Sequence, residues 1–154
     1  MRAVPPEPLA QSLKALRALD PQAPIHIHAA EQTKEVDDCV AWSGGRPVEW
    51  LLTHAGVDER WCLIHCTHMT AEESAALAAS GAVAGLCPIT EANLGDGIFE
   101  APRHLDAGGR IAVGSDSNVR IALGEELRTL EYGQRLRERK RNRLGPAGSS
   151  TGRP

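Results

Sequence analysis

Four short apolar runs, PIHIHA (24–29), WCLIHC (61–66), AVAGLC (82–87) and RIAVG (110–114), are each separated from the next by a longer stretch with helical patterning. That alternation constrains the chain more than any other feature, because it is the pattern of successive parallel strand–helix units and so of an α/β fold. The third run is apolar throughout, as expected of a strand buried on both faces. After the first run, a polar helix is predicted from about Glu31 to Trp42, stopping at Gly44-Gly45. A second helix starts at Pro47, which suits a first helical turn, and ends at Gly56, which suits a left-handed cap. Thr70 and Glu73 have the spacing of a capping box, opening a helix that runs to Ser80 and stops at Gly81.

Beyond the third strand, CPITEANLGDGIFE reads as a loop longer than such units normally carry, and long loops at this place often hold function. A short helix from Pro102 to Asp106, the fourth strand, and a last charged helix from about Ala122 to Asn142 complete the order. Residues 1–144 are expected to form the folded part. The tail 145–154, GPAGSSTGRP, has the small, polar composition of a disordered segment.

Composition narrows the function. The chain has 154 residues, 42% of them apolar, enough for one modest core. A formal net charge of −3 gives no basic footprint, so neither nucleic acid nor an anionic membrane is expected as a partner, and a small-molecule substrate fits better. No apolar run approaches the ~20 residues that span a bilayer, and MRAVPPEPLA has no signal-peptide apolar region; a cytoplasmic protein is expected. Cys39, Cys62, Cys66 and Cys87 lack C-x-x-C spacing and are expected to be reduced core residues.

In a parallel barrel, functional groups gather at the C-terminal ends of strands. Here His28 closes the first strand, His65 lies near the end of the second, and Asp116 follows the fourth. Imidazole nitrogen and carboxylate oxygen are donors that catalytic zinc accepts. Any one of them alone is explained by a hydrogen-bonded core histidine or a capping aspartate. Their recurrence at the same end of successive strands favours a site. Glu31, three residues after His28, is placed to move protons above a metal, or, more simply, to complement a helix dipole. His26 shares a strand face with His28 and is expected to be buried one layer below it. His54, His68 and His104 fall in helix or loop and receive no role, apart from a weak case for His68 at the mouth.

The strings HIHAAEQTKEVDDC, VDERWCLIHCTH, SGAVAGLCPITEANLGDGIF, GSDSN and EELRTLEYGQRLRERKRN resemble the formimidoylglutamate deiminases of the amidohydrolase superfamily, from Arg2 to about Leu144. TEANLGDGIF and EELRTLEYGQRL are specific to that group, whereas H-x-x-E, the next-strand histidine and the S-D belong to the wider deaminase branch. The resemblance implies a (β/α)8 TIM barrel holding one zinc ion in the complete enzyme, with this chain supplying about the last four βα units. It puts two of four metal ligands on His28 and Asp116, the histidine that orients the attacking water on His65, and the proton shuttle on Glu31. Asp116 would also take the water's proton. Arg2, in M-R-A-V, matches an arginine that holds a substrate carboxylate. The implied reaction is hydrolysis of N-formimidoyl-L-glutamate to N-formyl-L-glutamate and ammonia in histidine degradation.

The H-x-H pair of the family's first strand, its first four strands and its small β domain have no counterpart here. A whole barrel takes ~250 residues. The expected partner is therefore a missing N-terminal barrel half, with a homodimer left open, and the isolated chain is expected to be inactive. The rivals are an aminohydrolase of the same branch acting on a cyclic amidine, such as guanine, and a non-catalytic truncated remnant.

Overall fold

The computed structural model describes residues 4–118 and 120–145. Arg2, the expected carboxylate clamp, and residues 146–154 of the expected tail lie outside the described residues. Four parallel strands, β1 (Ile25–Ala29), β2 (Trp61–His65), β3 (Val83–Leu86) and β4 (Arg110–Val113), lie in sequence order in one sheet. Among the described residues seven helices accompany them: α1 (Pro6–Leu19), α2 (Thr33–Ser43), α3 (Pro47–His54), α4 (Ala71–Ser80), α5 (Pro88–Leu94), α6 (Ala101–Asp106) and α7 (Leu123–Glu138). The α/β alternation read from the sequence is the architecture observed. Among the described residues the sheet does not close on itself, and β1 and β4 are its outer strands.

Strand register sorts the side chains into two faces. Ile27, Leu63, Ala84 and Ile111 are in register, as are Ala29 with His65 and Leu86 with Val113. This face carries the core, where Trp61, Leu63, Ala84 and Leu86 pack with Val36, Val48, Leu51 and Leu77 from α2, α3 and α4. On the other face His28, Ile64, Gly85 and Ala112 are in register, and no layer of described residues covers His28 or Ala112. His26 belongs to this open face and is exposed, not buried. The expectation of a buried histidine beneath His28 fails because no layer of described residues packs over His26 on that face.

The predicted terminators hold. Gly44 and Gly81 are left-handed caps at φ 77° and 78°, and the Thr70 side chain accepts a hydrogen bond from Glu73 N–H at 3.2 Å while Glu73 reaches back to Thr70 N–H at 2.9 Å. Three elements differ from expectation. α1 was not predicted, although Leu9, Leu13 and Leu16 recur at helical spacing behind Pro5-Pro6, and Leu9 and Leu13 are buried. The stretch after β3 opens with α5 instead of running as a loop throughout. α7 ends at Glu138, with Arg139 left-handed at φ 55°, short of Asn142. Its continuation RKRN is dominated by like charges, which do not support another helical turn.

Candidate functional site at the strand ends

The C-terminal ends of the strands are built from left-handed turns. Among the described residues, six that are not glycine have positive φ, and four of them, Ala30 (52°), His65 (73°), Cys66 (53°) and Asp116 (53°), sit where β1, β2 and β4 run out. Each such residue costs on the order of 1–3 kcal/mol, less for an aspartate, and persists only where neighbours fix it. Those neighbours are visible. Glu35, in the first turn of α2, accepts from Ala30 N–H at 2.7 Å and Glu31 N–H at 3.0 Å. Cys66 N–H donates to Ala29 C=O and His68 N–H to Ala30 C=O, both at 3.0 Å. Ser115 C=O accepts from the Thr90 hydroxyl at 3.0 Å, and Asn118 N–H closes a turn on Asp116 C=O at 2.9 Å.

Strand alternation alone would point His65 toward the core face with Ala29. Instead its ring stacks on that of His28, from the open face, with centroids 5.3 Å apart and planes 17° apart. His65 is fully buried, and its Nε2 lies 3.6 Å from Glu31 Oε2 and 4.0 Å from Asp116 Oδ2, without a hydrogen-bond partner. The structure thus brings His28, Glu31, His65 and Asp116 to one mouth. Glu31 is buried and lies in the β1–α2 connection, two residues ahead of the helix, so it is not an acid of the first helical turn.

A fifth group was not singled out from the sequence. Glu91 of α5 is buried and meets His65 Nδ1 through Oε1 at 3.2 Å, while the same oxygen accepts from Cys87 N–H at 2.9 Å. Burial works against a charged His65 ring, but the Glu91 hydrogen bond and the nearby charges of Glu31, Glu91 and Asp116 outweigh it and raise its pKa above the ordinary histidine value. The only hint of Glu91 in the sequence was its place in the TEANLGDGIF string; its contact spans 26 residues.

His28 and Asp116 are suitable zinc donors in kind, and the unpartnered His65 Nε2 adds a polar atom at the same mouth. In number they fall short: among the described residues no group of three or more His, Cys, Asp or Glu side chains is arranged to hold a metal ion. The donor set suits part of a zinc site. The four cysteines are free; Cys62, Cys66 and Cys87 are buried and Cys39 is half-buried. Desolvation, followed by the charge of Glu91, pushes the Cys87 thiol up to about 12, so it is not a nucleophile near neutral pH. His104 is buried between the Ser74 hydroxyl (3.1 Å) and Arg110 C=O (3.3 Å), as a core histidine, and His68 lines a surface cleft with Thr67, Arg46 and Arg137. Among the described residues no helix is long and apolar enough to cross a membrane.

Comparison with known proteins shows the family and the fold. The amidohydrolase family is matched over residues 2–147. The chain is 60% identical over 144 residues to a formimidoylglutamate deiminase of Pseudomonas aeruginosa, covering 94% of this chain and 31% of that protein. It is 36% identical over 115 residues to a 5-methylthioadenosine/S-adenosylhomocysteine deaminase of Natronomonas pharaonis, covering 73% and 27%. Among solved structures, an amidohydrolase from Brucella melitensis superposes with a TM-score of 0.91 at 58% identity, over 97% of this chain and 32% of that one. An adenosine deaminase from Xanthomonas campestris with bound zinc gives 0.80 at 26%, over 89% and 31%. The chain spans about a third of the length of the relatives it matches.

Proposed function

This chain belongs to the amidohydrolase family, and from that premise we propose that its strand-end site serves the zinc-dependent hydrolytic deimination of N-formimidoyl-L-glutamate, giving N-formyl-L-glutamate and ammonia, a step of histidine breakdown. The observation that carries the proposal is the convergence of His28, Glu31 and Asp116 on the buried His65. Similarity to the Pseudomonas aeruginosa deiminase, far above that to the adenosine-type deaminase relatives, supports the substrate class.

His28 and Asp116 would hold the ion together with donors from outside the described residues. A zinc ion there would supply the Lewis acidity that makes water a nucleophile near neutral pH. The chain's own residues do the proton work. As the water oxygen adds to the formimidoyl carbon, Asp116 takes a water proton. Over the reaction both protons of that water reach the terminal nitrogen, the second delivered by Glu31 as the added hydroxyl becomes the carbonyl; the C–N bond breaks and the nitrogen leaves as ammonia. His65, beside both carboxylates, orients the water and polarises the reacting carbon. Arg2 is proposed to grip a substrate carboxylate.

The test joins this chain to the remaining part of the Pseudomonas aeruginosa relative and follows ammonia release. The joined protein should turn over N-formimidoyl-L-glutamate and not guanine or adenosine; the reverse preference would sink the substrate assignment. Glu31→Gln should keep zinc and lose turnover, whereas His28→Ala should lose zinc, because a proton shuttle and a ligand fail at different steps. The 154-residue chain alone should bind zinc weakly and release no ammonia.

A further inference from the structure

Helix α5 touches the site at two points. From one turn, Glu91 Oε1 meets His65 Nδ1 at 3.2 Å, and from the residue before it the Thr90 hydroxyl donates to Ser115 C=O at 3.0 Å, next to Asp116. The helix is itself held from behind. Ile89 N–H donates to Glu126 Oε2 of α7 at 2.9 Å, and both Glu91 and Glu126 are almost wholly buried. A helix fixed in this way, between the strand that ends in His65 and the loop that carries Asp116, sets more than their separation.

We propose that Glu91 is a positioning residue that keeps the proton of the neutral His65 ring on Nδ1, leaving Nε2 as the ring's hydrogen-bond acceptor at the mouth. The proposal rests on the reading of His65 as a group of the reacting site. The hydrogen-bond inventory around Oε1 supports it. Cys87 N–H can only donate, so the atom it meets at 2.9 Å is an acceptor, and a carboxylate oxygen already accepting one bond accepts a second from Nδ1–H. The other ring nitrogen has no hydrogen-bond partner and faces Glu31 and Asp116 at 3.6 and 4.0 Å. A histidine whose far nitrogen is pinned by a buried carboxylate has its tautomer and ring plane set by that bond. Without it, a neutral imidazole between carboxylates would place its proton on Nε2, toward Glu31, and present no acceptor at the mouth.

The experiment needs neither metal nor turnover. The 154-residue chain is labelled with nitrogen-15 in histidine, and imidazole nitrogen–proton correlations are recorded at a pH well above the histidine range, with His65→Gln used to identify the His65 signals. Wild type should show a protonated Nδ1 and a bare Nε2. Glu91→Gln keeps an amide oxygen for Cys87 N–H and Nδ1–H and should retain that pattern; Glu91→Leu should lose the Nδ1–H signal in favour of Nε2–H. A wild-type ring protonated on Nε2, or an unchanged Nδ1–H signal in Glu91→Leu, overturns the proposal. The wild-type spectrum decides even if the leucine variant does not fold, and it is independent of which amidine is the substrate, so failure of the substrate assignment is read separately.

Discussion

Substituting Gly109 with alanine tests how rigidly the strand that leads to Asp116 is held. A methyl group at Gly109 would lie 2.3 Å from His104 Nε2, 2.4 Å from Cδ2 and 2.5 Å from Cε1. The His104 ring has nowhere to go: it is fully buried, bonded to Ser74 on α4 and to Arg110 C=O at the start of β4, and set edge-on against Phe99 at 5.6 Å. Overpacking of this kind costs about 1–3 kcal/mol, and losing the bond to Arg110 adds about 1 kcal/mol, so roughly 2–4 kcal/mol is expected. Gly85→Ala is the control. Its methyl would meet Cys62 Sγ at 2.7 Å and the Ile64 Cδ1 at 2.8 Å, but Ile64 is half-exposed on the open face and can rotate away, so its cost should be about 1 kcal/mol. Urea unfolding, with the slope checked for constancy, measures both. The claim fails if Gly109→Ala is no less stable than Gly85→Ala. It also fails if the penalty persists in a His104→Ala background, where the obstructing ring is gone.

Other expectations follow from buried groups. Burial lowers the His104 pKa despite its hydrogen-bond contacts with Arg110 C=O and Ser74, so the folded state prefers the neutral ring; the stability it contributes is present above the ordinary histidine value and lost as pH falls through the folded one. On acidification below about pH 6.5 the wild-type unfolding midpoint should therefore fall relative to that of a His104→Gln variant, a comparison in which the opposite contribution of His65, whose pKa is raised, cancels. Alkylation of the native chain followed by mass spectrometry should label Cys39 first, since Cys62, Cys66 and Cys87 are buried with raised thiol pKa values; early labelling of Cys66 would contradict the packing. Thr70→Ala removes the acceptor for Glu73 N–H and should cost about 1 kcal/mol in the same urea assay, with no measurable change counting against the cap.

What the sequence disclosed depended on how local each signal was. The four strands, the Thr70 cap and the left-handed glycines at 44 and 81 rest on patterns within a few residues, and they appear at the expected positions. His28, His65 and Asp116 could be placed at one end of the sheet because strand ends can be counted along the chain, and the structure has them close together. Glu91 could not be found that way. Its helix is seven residues long, begins at a proline and stops at Gly95, and its significance lies in a side-chain contact with a strand 26 residues earlier. The burial of His26 was misjudged for the converse reason, since spacing fixes which face a strand residue occupies but not what covers that face. α1 was not predicted, although its Leu9, Leu13 and Leu16 spacing signals it.

The left-handed residues at the strand ends connect these observations. In a regular strand, His28 and His65 would point to opposite faces, because Ala29 is in register with His65. Their rings stack only because the chain abandons extended geometry at His65, with φ at 73°, and Asp116 approaches from its own left-handed turn. Neither histidine nor alanine adopts that backbone cheaply, so the strain at Ala30 and His65 must be held by the surrounding hydrogen bonds: Glu35 to the N–H groups of residues 30 and 31, Cys66 to Ala29 and His68 to Ala30. The same distortion that costs stability removes His65 from the core face and places its Nε2 beside Glu31 and Asp116, at 3.6 and 4.0 Å.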